Sequence, residues 1–279
     1  MGLYGVSKLT NQGQLAVIVQ TEALVLRSFR MTESSKVVVL FTRDLGKVRV
    51  VAKGARRPKS KFGASLEPLT WGRYVYYQRE NRDLQTLSDG DIIYPFEAVK
   101  QHYGRLAAGC VVSELLDHMT EDEDRNPVLF RLALDTIQWI GTIKTYALDM
   151  PIWYFQLKAA GELGYRPHLS GCVECGKPLE GTHLGFSPSL GGVLCGQHAG
   201  QGMPVSKNAV GFLTQLQVGR PDKMDIEGLK AVNQVEVTRL LRSFLDHHIS
   251  SQYRPKAFDF FENVMAAERS VPYQTMGET

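Results

Sequence analysis

Cysteine is scarce in this chain, with four in 279 residues, at positions 110, 172, 175 and 195. So few, with no secretory leader before them, do not describe the disulfide framework of a small secreted domain. Long hydrophobic runs are also missing, and no stretch approaches the ~20 apolar residues of a membrane-spanning helix. The opening MGLYGVSKLT has no basic region followed by an apolar one, so no signal peptide is read there. Val6 stands where a myristoylation signal needs Ser or Thr. The expectation is a cytoplasmic protein with no membrane partner. The signatures of common enzymes are absent too. There is no G-x4-G-K-S/T phosphate loop and no G-x-G-x-x-G after a strand. No G-x-S-x-G elbow and no H-E-x-x-H occur, so an enzyme is not expected. His247 and His248 fall on a predicted helix, where neighbours point ~100° apart and make poor co-ligands. The acidic run Glu121–Asp124 precedes Asn126-Pro127 and reads as a solvated linker.

What is present is ordinary in amount and uneven in placement. Hydrophobic residues make up 43% and charged residues 22%, which is globular rather than disordered, and the length fits about two domains of ~100–200 residues. The formal charge is only +3. Up to residue 95, however, fifteen Lys and Arg face eight Asp and Glu, a net +7 that leaves −4 for the rest. A basic part joined to an acidic one points to a polyanionic partner for the first; a merely solvated basic face is the alternative.

The first 95 residues alternate at period two between turn residues, the signature of strands and hairpins. EALVLRSF (Glu22–Phe29), KVVVLF (Lys36–Phe41) and KVRVVA (Lys47–Ala52) read as strands, followed by a hairpin from WGRYVYYQ through RENRD to LQTLSDGDIIYP. About five strands in this length fit a small closed barrel, of OB or SH3-like type. After Pro95 the period becomes helical. Helices are predicted over Phe96–Met119, Val128–Ile143, Ala147–Leu163, Lys207–Val218 and Gly228–Ile249, the last strongly amphipathic. The fold class is therefore α+β and multidomain: an N-terminal β-barrel at 1–95, then an all-α domain at 96–169 and 200–265 carrying a zinc-ribbon-like insert at 170–199. Residues 266–279 form a C-terminal tail.

The insert carries C-x2-C at Cys172/Cys175 and C-x2-H at Cys195/His198, separated by two short candidate strands, HLGFSP and GGVLC. Each x2 spacing lets two ligands reach one ion across a tight turn. Three thiolates and an imidazole suit Zn²⁺. Four protein ligands leave no open position, so the ion would be structural. The alternatives are a redox dithiol, a ribbon that no longer binds metal, and His183 in place of His198. Cys110, alone in a helix, reads as a small buried apolar residue.

The loop KGARRPKSKFG places Lys53, Arg56, Arg57, Lys59 and Lys61 within nine residues, with Pro58 and the glycines preventing a helix. Such a loop can hold a phosphate backbone by displacing its counterions. Arg27, Arg49, Tyr74 and Tyr76 are candidates for a groove floor beside it, the tyrosines by stacking on unpaired bases. For the two tyrosines, ordinary packing inside the protein weighs as much.

Three separated runs resemble one family. EALVLRSFRMTESSKVVVLFTRDLGKVRVVAKGARRPKSKFGASLEPLT is similar to the N-terminal domain of RecO recombination mediators, most specifically in VAKGARRPKSKFGASLEP. LKAAGELGYRPHLSGCVECGK resembles the family's helix leading into its zinc insert, and LLRSFLDHHISSQYRPKAFDF its C-terminal helix and tail. The resemblance implies an OB fold for the barrel and binding of single- and double-stranded DNA. It also implies ATP-independent annealing of complementary strands, partnership with RecR and single-stranded DNA-binding protein, and indirect help to RecA in loading. Zinc-bearing members show a second cysteine pair where this chain has Cys195 and His198. Residues 1–20 lie outside the matched run, and GQLAVIVQ is a candidate extra strand. An RNA-binding barrel with a zinc ribbon is the alternative from another class, and a nuclease a third.

Overall fold

The structure, a computed structural model, describes residues 6–9, 15–80, 82–224, 226–249 and 256–270. Six strands form the N-terminal sheet: β1 Val6–Leu9, β2 Leu15–Arg30, β3 Lys36–Thr42, β4 Gly46–Ala52, β5 Trp71–Gln78 and β6 Leu84–Tyr94. Leu15–Gln20 belong to β2, so most of GQLAVIVQ does extend the sheet. Its first half pairs with β5 from Val17↔Gln78 to Leu24↔Trp71, and its second half with β3 from Ala23↔Thr42 to Arg30↔Lys36. The register shifts between Val25 and Arg27, and a bulge of this kind bends a strand. Antiparallel β3–β4, a short parallel contact of Arg49–Val51 with Leu84–Thr86, and β6–β5 return the pairing to β2.

β3 explains why KVVVLF is apolar at every position after Lys36. Val38 and Leu40 point into the core enclosed by the sheet, with Val25, Val50, Tyr74 and Tyr76. Val39 and Phe41 point the other way and join Leu24, Leu26 and the helices in a second core. A strand buried on both faces loses its alternation.

The left-handed Phe96 (φ 52°) leads into α1 Glu97–Lys100. α2 Tyr103–Met119, α3 Pro127–Thr142 and α4 Asp149–Glu162 follow. The helix expected over Phe96–Met119 is thus two, because His102 is extended (φ −129°, ψ 124°). α3 starts on Asn126, whose side chain accepts from the Leu129 N–H at 2.8 Å, with Pro127 in its first turn, a sequence-legible start. β7 Leu184–Ser187 and β8 Gly192–Leu194 match the two expected strands, and β9 Met203–Val205 adds a third to β7. α5 Lys207–Val218 was expected at these bounds. α6 Gln234–His248 is shorter than expected, because Asn233 caps it through the Glu236 N–H (3.2 Å) and a 3-10 turn, Glu227–Ala231, precedes it.

α7 Lys256–Ser270 is a helix that the periodicity reading missed, and it runs through the position where the tail was expected to begin. It packs on α2. The Glu114 carboxylate of α2 accepts from the Lys256 and Ala257 N–H groups at 3.2 and 2.7 Å, an acidic cap where the helix dipole favours one. Among the described residues no helix is long and apolar enough to cross a membrane.

Candidate nucleic-acid interface and metal centre

The basic loop leaves β4 at Ala52 and is anchored at its far end by Phe62, which is buried in the sheet's core. Between these points the side chains of Lys53, Arg56, Arg57, Lys59 and Lys61 are exposed. Among the described residues none of the five has a carboxylate partner. Arg56 differs from the others. Its guanidinium donates to the Thr32 and Glu33 carbonyls at 3.0 and 2.8 Å, and its N–H donates to Ser34 at 3.1 Å. It ties the loop to the β2–β3 turn. Arg57, Lys59 and Lys53 are left as exposed cations without a carboxylate, and so is Lys61, whose ammonium lies 5.4 Å from the centre of the Phe62 ring.

Arg27 and Arg49 sit elsewhere, at the junction with the helices. Arg27 pairs with the buried Asp117 of α2 at 2.6 Å, and Arg49 pairs with Asp122. Between them Lys47, almost fully buried, donates to the carbonyls of Asp117 and Thr120 at 2.6 and 2.7 Å. It also faces the Asp117 and Asp122 carboxylates at 3.4 and 3.7 Å. A lysine on the last carbonyls of a helix satisfies acceptors that the helix cannot. The acidic run is the exposed linker between α2 and α3 expected of it, and it also touches β4. Glu123 N–H donates to the Lys47 carbonyl at 3.0 Å, so the run lies along the edge of β4. Gly46 (φ +68°) leaves room for it, since a Cβ there would stand 2.1 Å from the Asp124 carbonyl oxygen.

Tyr74 and Tyr76 correct the stacking expectation. Both are fully buried within the sheet's own core, where no base can reach their rings. Tyr74 donates its hydroxyl to the Ser65 carbonyl at 2.6 Å, and Gly90 leaves space against its ring, where a Cβ would lie 3.0 Å from the ring carbon Cδ1. Burial raises both phenol pKa values well above the ordinary one. The signal was in the sequence: Arg73, one residue away on the opposite face, is exposed, and a charge on one face of a strand marks the other as inward.

In the insert, the sulfurs of Cys172, Cys175 and Cys195 and a ring nitrogen of His198 all lie within 4.8 Å of one another. Cys172 Sγ is 3.7 Å from His198 Nδ1, Cys195 Sγ is 3.5 Å from it, and the Cys175 and Cys195 sulfurs are 3.8 Å apart. Bonds of ~2.3 Å to sulfur and ~2.0–2.1 Å to nitrogen at tetrahedral angles separate ligands by roughly 3.5–3.8 Å, so the four atoms fit the corners of one four-coordinate site. Turns set them there. The Gly176 N–H donates to the Cys172 carbonyl at 2.8 Å, with Gly176 at φ +71°, and the His198 N–H donates to the Cys195 carbonyl at 2.9 Å. Burial alone would raise the Cys172 thiol, but backbone N–H groups around its sulfur outweigh that and bring it down to about 6. His183 is not in the cluster. The rings of His247 and His248 meet edge to face, 5.0 Å between centroids, and a His248 ring nitrogen lies 3.0 Å from the Pro188 carbonyl oxygen. The Cys110 thiol is half-buried, and its pKa is raised by that burial.

Fold and sites together define a class: an α+β protein that joins an OB-like sheet domain with a free basic loop to a helical domain holding a Cys3His cluster. The chain matches the N-terminal domain of recombination protein O over residues 16–96 and its C-terminal domain over 100–257. It belongs to the RecO family of DNA repair proteins. It is 31% identical to the DNA repair protein RecO of an Exiguobacterium species, over 82% of this chain and 88% of that one. It is also 31% identical to that of a Nocardioides species, over 87% and 99%. To that of Koribacter versatilis it is 36% identical, over 63% and 70%.

Proposed function

We propose that this chain is a recombination mediator that binds single- and double-stranded DNA, anneals complementary strands without ATP, and works with RecR and single-stranded DNA-binding protein to help RecA load. The observation that carries this reading is the loop of unpaired cations on a RecO-type sheet domain. Arg57, Lys59, Lys53 and Lys61 can each replace a condensed counterion on a phosphate backbone, and contacts of this kind give affinity with little sequence preference. In this reading residues 1–95 close into an OB-type barrel, which the circular strand pairing supports, and the acidic helical region faces protein partners. The Cys172/Cys175/Cys195/His198 cluster holds a structural Zn²⁺ that stiffens the insert at 170–199; when bound, the ion fixes the two turns against each other and leaves no position for water.

The test is annealing of complementary strands coated with single-stranded DNA-binding protein, without ATP, with and without this chain. Acceleration is expected. Tight binding to bare DNA without acceleration would remove the mediator role and leave a DNA-binding domain.

A further inference from the structure

The β2–β3 hairpin ends in apolar side chains where solubility calls for polar ones. Phe29 is 49% and Met31 51% exposed. Phe29 lies opposite Val37, and Val37 opposite Val51. These three form one row across the sheet, beside the row Arg27, Val39 and Arg49. Beyond Val51 the chain passes at once into the basic loop, and the bonds of Arg56 to Thr32, Glu33 and Ser34 fasten that loop to the hairpin. An exposed phenyl ring thus stands on the same ledge as cations without partners. Arg30, on the other face of β2, is exposed as well, and the one acid of the turn between β2 and β3 is Glu33.

A polyanion needs only the cations. The ring adds something where a flat apolar face is on offer, and an unpaired base has one, whereas a duplex keeps its faces inside the stack. Resting on the reading of the loop as a nucleic-acid surface, we propose that Phe29 is the base-stacking residue of this face and biases the sheet domain toward unpaired strands. Arg56 is the positioning residue that holds ring and cations together.

The test uses the full chain with oligo(dT) and a duplex of equal length at one salt concentration, read by fluorescence anisotropy. Phe29→Leu is expected to weaken oligo(dT) binding by about 5- to 100-fold and leave duplex binding unchanged. Its salt slope should stay as in the parent, because no phosphate contact is lost. Phe29→Tyr should bind both as the parent does, and the melting temperatures of both variants check that the hairpin is intact. Equal weakening on both nucleic acids, or none on oligo(dT), overturns the proposal. Arg57→Ala/Lys59→Ala is run beside them. If it weakens both forms while Phe29→Leu weakens neither, stacking falls and the nucleic-acid surface stands. If no variant weakens either form, the surface itself falls.

Discussion

At the scale of single residues, exposure and partnership separate side chains that one motif groups together. Five cations of the loop looked equivalent; Arg56 is engaged by two carbonyls while Arg57 and Lys59 are not. Replacing Arg57 and Lys59 by alanine should therefore reduce the slope of log affinity against log salt by about 1.4–1.8, with an unchanged melting temperature. Titrations of DNA binding at several salt concentrations would show it, and an unchanged slope would remove these two from the interface. Tyr74 is the opposite case. Tyr74→Phe keeps the ring and deletes the bond to Ser65, so it should cost about 1 kcal/mol in urea denaturation and leave DNA affinity as it was. A selective loss of affinity would restore the tyrosine to the binding surface.

At the scale of elements, the contact that matters is where β4 meets α2. Lys47 brings a charge into a nearly dry position and meets carbonyls and carboxylates there. Lys47→Met would leave Asp117 buried with Arg27 as its remaining cation, and should cost about 3 kcal/mol. Adding Asp117→Asn should recover part of that, since the group left behind is then neutral. A strictly additive double mutant in denaturation would show that the two do not interact. The insert depends on a different kind of link. β7, β8 and β9 are three or four residues each, too short to supply a core of their own, so under the proposed reading binding of a metal would supply folding energy. Cys172→Ser should abolish stoichiometric zinc by elemental analysis and lower the melting temperature, with DNA binding by the loop retained. Full metal content in that variant would exclude Cys172 as a ligand.

At the scale of the whole molecule, the sheet and the helices share one core. Leu24, Leu26, Val39 and Phe41 of the sheet pack with the apolar residues of α2 and α3. A fragment cut at Pro95 would expose them as a contiguous apolar patch, which soluble monomers rarely tolerate. Residues 1–95 made alone should aggregate by light scattering, whereas the full chain stays monodisperse. A monodisperse, cooperatively melting fragment would show that the enclosed core around Val38, Leu40 and Tyr76 suffices.

The sequence by itself determined what depends on neighbours along the chain. The strand start at Lys36, that at Lys47 to within one residue of the observed Gly46, the start of α3 at Asn126-Pro127, α5, and the two paired half-sites of the metal cluster are set by apolar runs, turn residues, caps and x2 spacing, all of which act within a few residues. The positions that only the tertiary structure decided depend on distant partners. Arg73 already marked which face of WGRYVYYQ turns inward, but that Tyr74 and Tyr76 are closed off completely depends on residues of the other strands packed around them. The exposed acidic run bridges to β4 at Lys47, whose ammonium meets the carbonyl of Asp117, seventy residues away along the chain. α7 exists as packing on α2, where the spacing of Phe258, Phe261 and Met265 finds an apolar surface and Glu114 supplies its cap. A local pattern fixes what a segment can be, and the free energy of burying one face or pairing one charge selects which of those it is.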